Sequence, residues 1–329
     1  MIVSIVLTFV LSMLGSYFLV KYREQIALFA FVNERSVHKE KTPNSGGIAI
    51  VGSFLLFLLF SPLPINFAII FSVIFLFLFG LYDDKFGASS KEKILFIFFI
   101  SNILYFNGFY ISYLGNFLGN EIYISGFFAY SLLCFALIGF INSVNLIDGL
   151  DGLASLVGIV ILSSFLYMGL KFDDTFLIAV SAAYIAALGG FLIFNYPPAK
   201  IFMGDSGSLT LGLVIALVAI YAINQHYISV VTSLLLAALP ILDTFVVMTR
   251  RVFSGKNPFV ADKLHIHHII HKQQGYNTKK TLFILVLMQG IFTYVALGFK
   301  IRDDILVIIL FFMLYLLAYF LLATSKNMK

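Results

Sequence analysis

The chain has 329 residues, of which 61% are apolar and 11% are charged, and its mean hydropathy is +1.02. Soluble domains average roughly 45–50% apolar and about 25% charged residues, so this composition excludes an ordinary soluble enzyme. The net charge of +5 does not indicate nucleic acid as a partner, because the basic residues are dispersed among short segments between apolar runs. A single cysteine, Cys134, excludes an internal disulfide and a multi-cysteine metal site.

Eleven apolar runs are predicted to be membrane-spanning helices of an all-α polytopic protein, in one domain that covers residues 1–329. A span needs about 20 mostly apolar residues, and backbone in lipid must satisfy its own hydrogen bonds, which selects helices. The first run lacks the basic start of a cleaved signal peptide and is interpreted as a retained span. The spans are predicted at 2–20, 46–61, 65–82, 94–107, 126–144, 153–170, 175–195, 207–224, 228–249, 281–299 and 305–323. The second and fourth are short, and ten spans is the alternative count.

Basic residues fall almost entirely on one side of these spans. The loops after odd-numbered spans share that side, which carries 18 of the 21 Lys and Arg residues and leaves Lys171, Lys300 and Arg302 to the other. The positive-inside rule assigns the richer side to the cytoplasm. We therefore predict an N-terminus outside, a C-terminus in the cytoplasm, and a turn-rich or hairpin excursion at 107–125 outside.

Aspartates recur beside glycines where predicted spans three, five and seven meet the cytoplasmic side. One acidic pair alone indicates no more than a solvated helix end, because an aspartate costs about 2.5–3.5 kcal/mol only near a helix centre. Five acids in otherwise apolar, glycine-containing sequence favour a polar functional cavity. They are Asp83, Asp84, Asp148, Asp151 and Asp205.

The cytoplasmic loops also contain basic residues and lack cysteine. Carboxylate oxygens favour a hard cation such as Mg²⁺, which proteins hold through one or two carboxylates together with substrate phosphates and water. Cationic side chains suit anionic phosphate groups. The candidates are Lys39, Lys41, Lys91, Lys93, Lys200 and Arg251. The sequence thus predicts phosphoryl chemistry at the cytoplasmic membrane surface, without naming a substrate.

A histidine cluster, His265-Ile266-His267-His268, follows predicted span nine. Zinc would need a third strong ligand and an open position, so an anion or sugar contact is favoured and zinc is the alternative. Asp243 lies about 10 Å inside the cytoplasmic end of the same span, at 1.5 Å per residue. Its burial predicts either a site role or a structural hydrogen bond.

In chain order these motifs resemble the polyprenyl-phosphate N-acetylhexosamine-1-phosphate transferases, over residues 36–271. The resemblance implies that a UDP-activated amino sugar donates its sugar 1-phosphate to undecaprenyl phosphate and releases UMP, in a bacterial inner (cytoplasmic) membrane. Family members are often dimers, so a homodimer is an open expectation. The matching segments are Pro43-x-x-Gly46-Gly47, Asp83-Asp84, Asn145-x-x-Asp148-Gly-x-Asp151-Gly, Gly204-Asp205-x-Gly-Ser and the histidine cluster.

The resemblance also implies roles for individual residues. Asp205 matches the family's metal-binding aspartate, for Mg²⁺ with Mn²⁺ as a substitute. Asp83, Asp84, Asp148 and Asp151 match catalytic positions, and Asp83 is the family's candidate base. The substrate contacts predicted from the loops and the resemblance together are Lys39, Lys41, Lys91, Lys93, Asn145, Arg251, His265, His267 and His268.

The histidine cluster further bears on the donor. Members that use UDP-MurNAc-pentapeptide carry a His-His-His-Phe-Glu type segment, whereas the His-Ile-His-His run here resembles the WecA and TagO group. UDP-GlcNAc is then the first candidate donor, and the pentapeptide enzyme is the alternative. Asn44 departs from the family, where many members have Arg, and this calls one phosphate contact into question.

Two other classes of membrane protein are alternatives. A secondary transporter would place its acids near the bilayer midplane, within inverted repeats. A phosphotransferase with a CDP-linked donor would carry Ala-Arg soon after the Asp-Gly unit, where this chain has Leu153-Ala154-Ser155.

Overall fold

The structure is a computed structural model that describes residues 1–26, 42–61, 66–255, 265–299 and 304–324. Within these ranges the chain is a bundle of helices with one small hairpin. The helices are α1 (Ile2–Lys21), α2 (Arg23–Ile26), α3 (Gly46–Phe60), α4 (Phe67–Phe86), α5 (Ser90–Phe106), α6 (Gly126–Ile147), α7 (Leu153–Phe172), α8 (Thr175–Asn195), α9 (Gly204–Asn224), α10 (Val230–Leu236), α11 (Ala238–Phe253), α12 (Ile266–Gln273), α13 (Thr278–Gly298) and α14 (Asp304–Thr324). The strands are β1 (Tyr113–Phe117) and β2 (Asn120–Tyr123).

This architecture confirms an all-α polytopic membrane protein. Among the described residues, seven helices are long and apolar enough to cross a membrane by length and composition, or eight if the bent pair α10–α11 is one span. The shorter apolar helices α3 and α14 occupy two further predicted spans. The count of eleven spans and their orientation remain predictions.

Helix α9 forms the centre of the bundle. Of the residues in its most apolar stretch, 89% are buried, against 22% for the corresponding stretch of α1. Small residues explain how its neighbours approach so closely; a side chain at Gly212 would come within 2.9 Å of the Ile141 backbone on α6. Because α9 is held from all sides, its first turn, which begins at Gly204, is a rigid support for side chains at the end of the bundle.

The predicted ninth span is broken in the structure. Helices α10 and α11 meet at 91°, and Ala237 lies between them. Gln289 of α13 satisfies the interrupted backbone, since its Nε2 donates to Leu236 O (2.7 Å) and its Oε1 accepts from the Leu239 N–H (3.1 Å). Backbone polar groups at membrane depth need such internal partners. The break turns α11 aside and brings Asp243 toward the histidine cluster.

The predicted excursion at 107–125 is confirmed as the β1–β2 hairpin, which is antiparallel. The buried carboxylate of Asp304 fixes it, accepting from the Asn116 N–H (2.6 Å) and from the Ser229 hydroxyl. The hairpin follows the end of α5, whereas the acidic residues precede its start, about 25 Å away at 1.5 Å per residue. Hairpin and acids therefore lie at opposite ends of the bundle.

Candidate active site

The two adjacent aspartates in the last turn of α4 have different partners. Asp83 Oδ1 accepts from the Ala88 N–H (2.6 Å), and its Oδ2 forms an ion pair with Lys93 Nζ on α5 (2.6 Å). The N-terminus of α5, which carries Lys93, is fixed by a capping box of Ser89 and Glu92. Asp83 and Lys93 are therefore held together by the turn between α4 and α5.

Asp84 is directed at the first turn of α9 instead. Its Oδ1 accepts from Asn44 Nδ2 (2.8 Å) and from the Asp205 N–H (2.7 Å), while its Oδ2 accepts from the N–H (3.0 Å) and hydroxyl (2.6 Å) of Ser206. It thus supplies the acceptors that the first N–H groups of a helix need. Gly204 makes room, because a side chain there would lie 2.7 Å from Asp84 Oδ1 and the residue has φ +74°.

Asp205 extends from that same turn of α9. Its Oδ1 accepts from Lys93 Nζ (3.1 Å) and from Asn145 Nδ2, which also donates to Ser208 Oγ (2.8 Å). Its side chain is 28% exposed, and among the described residues its Oδ2 accepts no hydrogen bond. Lys93 therefore lies between two carboxylates, one of which keeps an oxygen available.

The turn between α6 and α7 carries the next two acids. Asp148 is half-buried, and burial raises the pKa of its carboxyl well above the ordinary value, with the negative charges of Asp205, Asp84 and Asp151 raising it further. Asp151 Oδ2 accepts from the Ala199 N–H (2.9 Å), which ties this turn to the segment before α9. All five predicted acids thus face one end of the bundle.

The histidine cluster packs against Asp243 of α11. His265 Nδ1 and His267 Nδ1 lie 3.1 Å and 3.0 Å from Asp243 Oδ2, and the Ile266 N–H donates to Oδ1. His268 is beside His267, with ring centroids 4.2 Å apart. Burial is the main cause that lowers the pKa of His268 to about 4. His268 is therefore a neutral ring at pH 7.

The acids suit a metal ion shared with substrate, rather than a cage made by the protein alone. Within the described ranges, no three of the five acids have carboxylate oxygens within 4.8 Å of one another. The one group of three possible metal ligands at that spacing consists of Asp243, His265 and His267. Mg²⁺ is usually held by one or two carboxylates, with substrate phosphates and water completing its shell. The available Oδ2 of Asp205 fits that role.

The other residues that were predicted to bind substrate differ in their distance from the acids and in their exposure. Lys93 and Asn145 join the acids directly, whereas Lys91 is exposed on the first turn of α5. Arg251 is buried in the last turn of α11. Lys39 and Lys41 lie outside the described residues.

Several side chains that organise the site were not predicted from sequence. Asn195 Oδ1 accepts from the Gly152 N–H (2.9 Å) and its Nδ2 donates to Ile201 O (2.9 Å), so it connects two loops of the site. Ser206 and Ser208 bind Asp84 and Asn145 as described above. Asn44 was noted only as a departure from a family pattern, yet it binds Asp84. Polar residues beside glycines or prolines at the ends of helices were the one available signal.

Comparison with known proteins adds to this geometry. The family model of glycosyl transferase family 4 matches residues 66–223. A probable undecaprenyl-phosphate N-acetylglucosaminyl 1-phosphate transferase of Bacillus subtilis (strain 168) is 29% identical over 308 residues, which covers 91% of this chain and 86% of that protein. An undecaprenyl-phosphate alpha-N-acetylglucosaminyl 1-phosphate transferase of Yersinia pestis is 28% identical, covering 89% and 82%. A phospho-N-acetylmuramoyl-pentapeptide-transferase of Carboxydothermus hydrogenoformans is 26% identical, covering 80% and 86%.

Proposed function

We propose that the chain is a member of glycosyl transferase family 4 and that it transfers an N-acetylhexosamine 1-phosphate from a UDP-linked donor to undecaprenyl phosphate, releasing UMP. The observation that carries the proposal is the position of Lys93, whose ammonium lies between the carboxylates of Asp83 and Asp205. Acids and a cation in one polar site at a membrane surface suit two phosphorylated substrates, one from the bilayer and one from the cytosol.

The reaction forms one phosphorus–oxygen bond and breaks another. An oxygen of the lipid phosphate attacks the β-phosphorus of the UDP-sugar, and the bond from that phosphorus to the bridging oxygen of the α-phosphate breaks. UMP leaves with the bridging oxygen, and the sugar keeps its phosphate in a lipid diphosphate. An aspartyl-phosphate formed first on an acid of the site is the two-step alternative.

Each residue of the cluster has a task in this reaction. Asp205 would hold Mg²⁺, which when bound offsets charge on the diphosphate. Lys93 attracts phosphate oxygens and orients Asp205, and Asp83 is the candidate base beside the lipid phosphate. Asp84 positions Asp205 by holding the first turn of α9. Asn145 fixes the orientation of the Asp205 carboxylate from α6.

The sugar is proposed to be N-acetylglucosamine. The names of the relatives from Bacillus subtilis and Yersinia pestis support this choice, and that of the Carboxydothermus hydrogenoformans relative supports the alternative UDP-MurNAc-pentapeptide. Purified protein with Mg²⁺ and undecaprenyl phosphate, offered UDP-GlcNAc, UDP-GalNAc or UDP-MurNAc-pentapeptide, separates these donors. We expect UDP-GlcNAc to release the most UMP. A preference for the pentapeptide donor would instead identify the protein as a UDP-MurNAc-pentapeptide transferase.

We further propose that the protein crosses the bacterial inner membrane with eleven spans. Its active site then faces the cytoplasm. The support is the bias of Lys and Arg toward this side of the predicted spans. In a Cys134→Ser background, Gln273→Cys after the histidine cluster and Leu118→Cys in the hairpin provide exposed labels near opposite ends. In intact cells a membrane-impermeant maleimide should label only position 118. Labelling of position 273 alone would reverse the orientation.

A further inference from the structure

Asp243 is almost completely buried, with 1% of its surface exposed, and it contacts two of the three rings in the histidine cluster. Two imidazole Nδ1 atoms face its Oδ2, at 3.1 Å for His265 and 3.0 Å for His267. Its Oδ1 accepts from the Ile266 N–H between them. No other acid in the described ranges contacts two histidines in this way.

The chemistry of these contacts determines where the ring protons are. An ionised carboxylate only accepts hydrogen bonds, so each Nδ1 that faces it must carry a proton. A neutral imidazole with its proton on Nδ1 has its lone pair on Nε2. Asp243 therefore fixes the orientation of His267 and, in the neutral ring, its tautomer, as a carboxylate partner commonly does for a functional histidine.

The Nε2 of His267 is the end that this arrangement leaves available. The His267 side chain is buried, and its Nε2 has no hydrogen-bond partner among the described residues. It lies against Gly149, where an added side chain would come within 2.6 Å of it. Gly149 follows Asp148 in the turn between α6 and α7, so the unpaired acceptor is adjacent to the acidic loop. A buried polar atom without a partner calls for an explanation, and for an atom beside the acidic loop a hydrogen bond to bound substrate supplies one.

We propose that Asp243 is a positioning residue for donor binding. It holds the ring of His267 with its proton on Nδ1, so that Nε2 accepts a hydrogen bond from a hydroxyl or N–H group of the UDP-sugar beside Gly149. This inference rests on the proposed function, because the ligand is the donor of that reaction. Asp243 itself does not touch the donor and acts only through the ring of His267.

Asp243→Asn tests the idea through the tautomer. One carboxylate oxygen becomes an NH₂ group, and if the remaining oxygen keeps the Ile266 N–H, the amide faces the two Nδ1 atoms as a donor. The proton of His267 then moves to Nε2, which becomes a donor where an acceptor is required. We expect KM for UDP-GlcNAc to rise roughly 10- to 100-fold with KM for undecaprenyl phosphate unchanged, as for loss of a buried hydrogen bond. Equal changes in both KM values would overturn the proposal.

A double-mutant cycle separates positioning from general support of the fold. If Asp243 acts through His267, Asp243→Asn combined with His267→Ala should raise the donor KM no further than His267→Ala alone. Independent, additive losses would contradict the inference. Asp174→Asn is the matched control, because Asp174 caps α8 and binds Tyr221 and Tyr227 near the opposite end of the bundle. It should leave the donor KM unchanged.

A direct measurement needs no destabilising variant and no turnover. In detergent-solubilised protein labelled with ¹⁵N-histidine, the His267 signals, assigned by their loss in His267→Ala, should show a one-bond N–H coupling at Nδ1 and none at Nε2. A proton on Nε2 overturns the proposal, as does one equivalent of tightly bound zinc, which would make Nδ1 a metal ligand. These results stand even if no donor releases UMP, an outcome that would reject the proposed function separately.

Discussion

The carboxylate of Asp84 and the first turn of α9 are joined through Ser206, whose N–H and hydroxyl both donate to Asp84 Oδ2, at 3.0 Å and 2.6 Å. Asp84 thus supplies capping acceptors to α9 although it belongs to α4, and α9 is the most buried of the long apolar helices in the described part of the chain. The helix that it caps carries Asp205 as its second residue. The geometry of the candidate metal ligand therefore depends on an acid of another helix, through hydrogen bonds from the backbone and side chain of the α9 turn.

Asp84→Asn is expected to weaken both the fold and the site. The side-chain amide of the variant has one acceptor oxygen where the carboxylate has two, so at least one donor of the α9 turn loses its partner. This lowers the free energy of unfolding by about 1–3 kcal/mol. We expect a lower melting temperature and a fall in turnover of about 100-fold, since small misplacements of a reacting group have such effects. Asp174→Asn makes the same change at the N-terminal cap of α8. It should lower the melting temperature while turnover at 20 °C stays normal; equal turnover losses in both variants would contradict this role.

Lys93→Gln is expected to remove most activity, and Lys91→Gln very little. Lys93 compensates the charges of Asp83 and Asp205, and its loss leaves two carboxylates without their shared cation. We expect turnover to fall at least about 100-fold for Lys93→Gln, because a preorganised charge in a phosphoryl-transfer site has effects of this size. Lys91 was predicted from sequence to contact substrate, but it is exposed one residue before Glu92, so its replacement is now expected to change turnover by about twofold at most. Similar losses in the two variants, measured by UMP release, would mean that the exposed lysine also reaches substrate.

The proposed metal role of Asp205 predicts a change in the metal dependence of turnover. Chelation with EDTA should abolish turnover, and Mg²⁺ or Mn²⁺ should restore it. In Asp205→Asn the Oδ1 contacts to Lys93 and Asn145 remain available to the amide oxygen, but the second oxygen is lost. The Mg²⁺ concentration for half-maximal rate should rise at least about tenfold, as for removal of a charged ligand. An unchanged Mg²⁺ titration in a folded variant would remove Asp205 from the metal site.

The pKa of His268 predicts that α12 loosens in acid. In the unfolded loop the ring takes up a proton near pH 6.5, whereas the packed ring resists protonation until about pH 4. The unfolded state therefore binds more protons between these values, so packing is fully stable above pH 6.5 and weakens as the pH falls toward 4. Amide exchange in α12, corrected for the intrinsic pH effect, should accelerate between pH 7 and pH 5. The acceleration should be smaller in His268→Gln, and equal pH dependence in both proteins would assign it to another group.

The helices follow from sequence because apolar run length is set by the bilayer. The run predicted at 175–195 is the helix Thr175–Asn195, and the others differ mainly at their ends. The bend at Ala237 was not predicted, since 228–249 is apolar enough on average to be one span and mean hydropathy does not indicate the direction of a helix. Pro240 was the available signal, because proline lacks the N–H that a continuing helix needs.

The acids of the site were identified from sequence, but their individual partners were not. The sequence does not distinguish the roles of Asp83 and Asp84. Because side chains of neighbouring residues on a helix point about 100° apart, Asp83 and Asp84 bind different elements. Asp243 was left with two interpretations, because its contact with His267 spans 24 positions and depends on the bend before α11. Long-range contacts of this kind are set by packing, which a single sequence does not display.

Donor labelled with ³²P in its β-phosphate tests the central claim most directly. Transfer of a sugar 1-phosphate moves that phosphorus to undecaprenyl phosphate, whereas transfer of the sugar alone would leave it in UDP. With Mg²⁺, undecaprenyl phosphate and labelled UDP-GlcNAc, we predict that the label enters the organic-extractable lipid and that UMP is released in equal amount. Label that stays in soluble UDP while sugar reaches the lipid, or no transfer from any UDP-N-acetylhexosamine, would contradict the account.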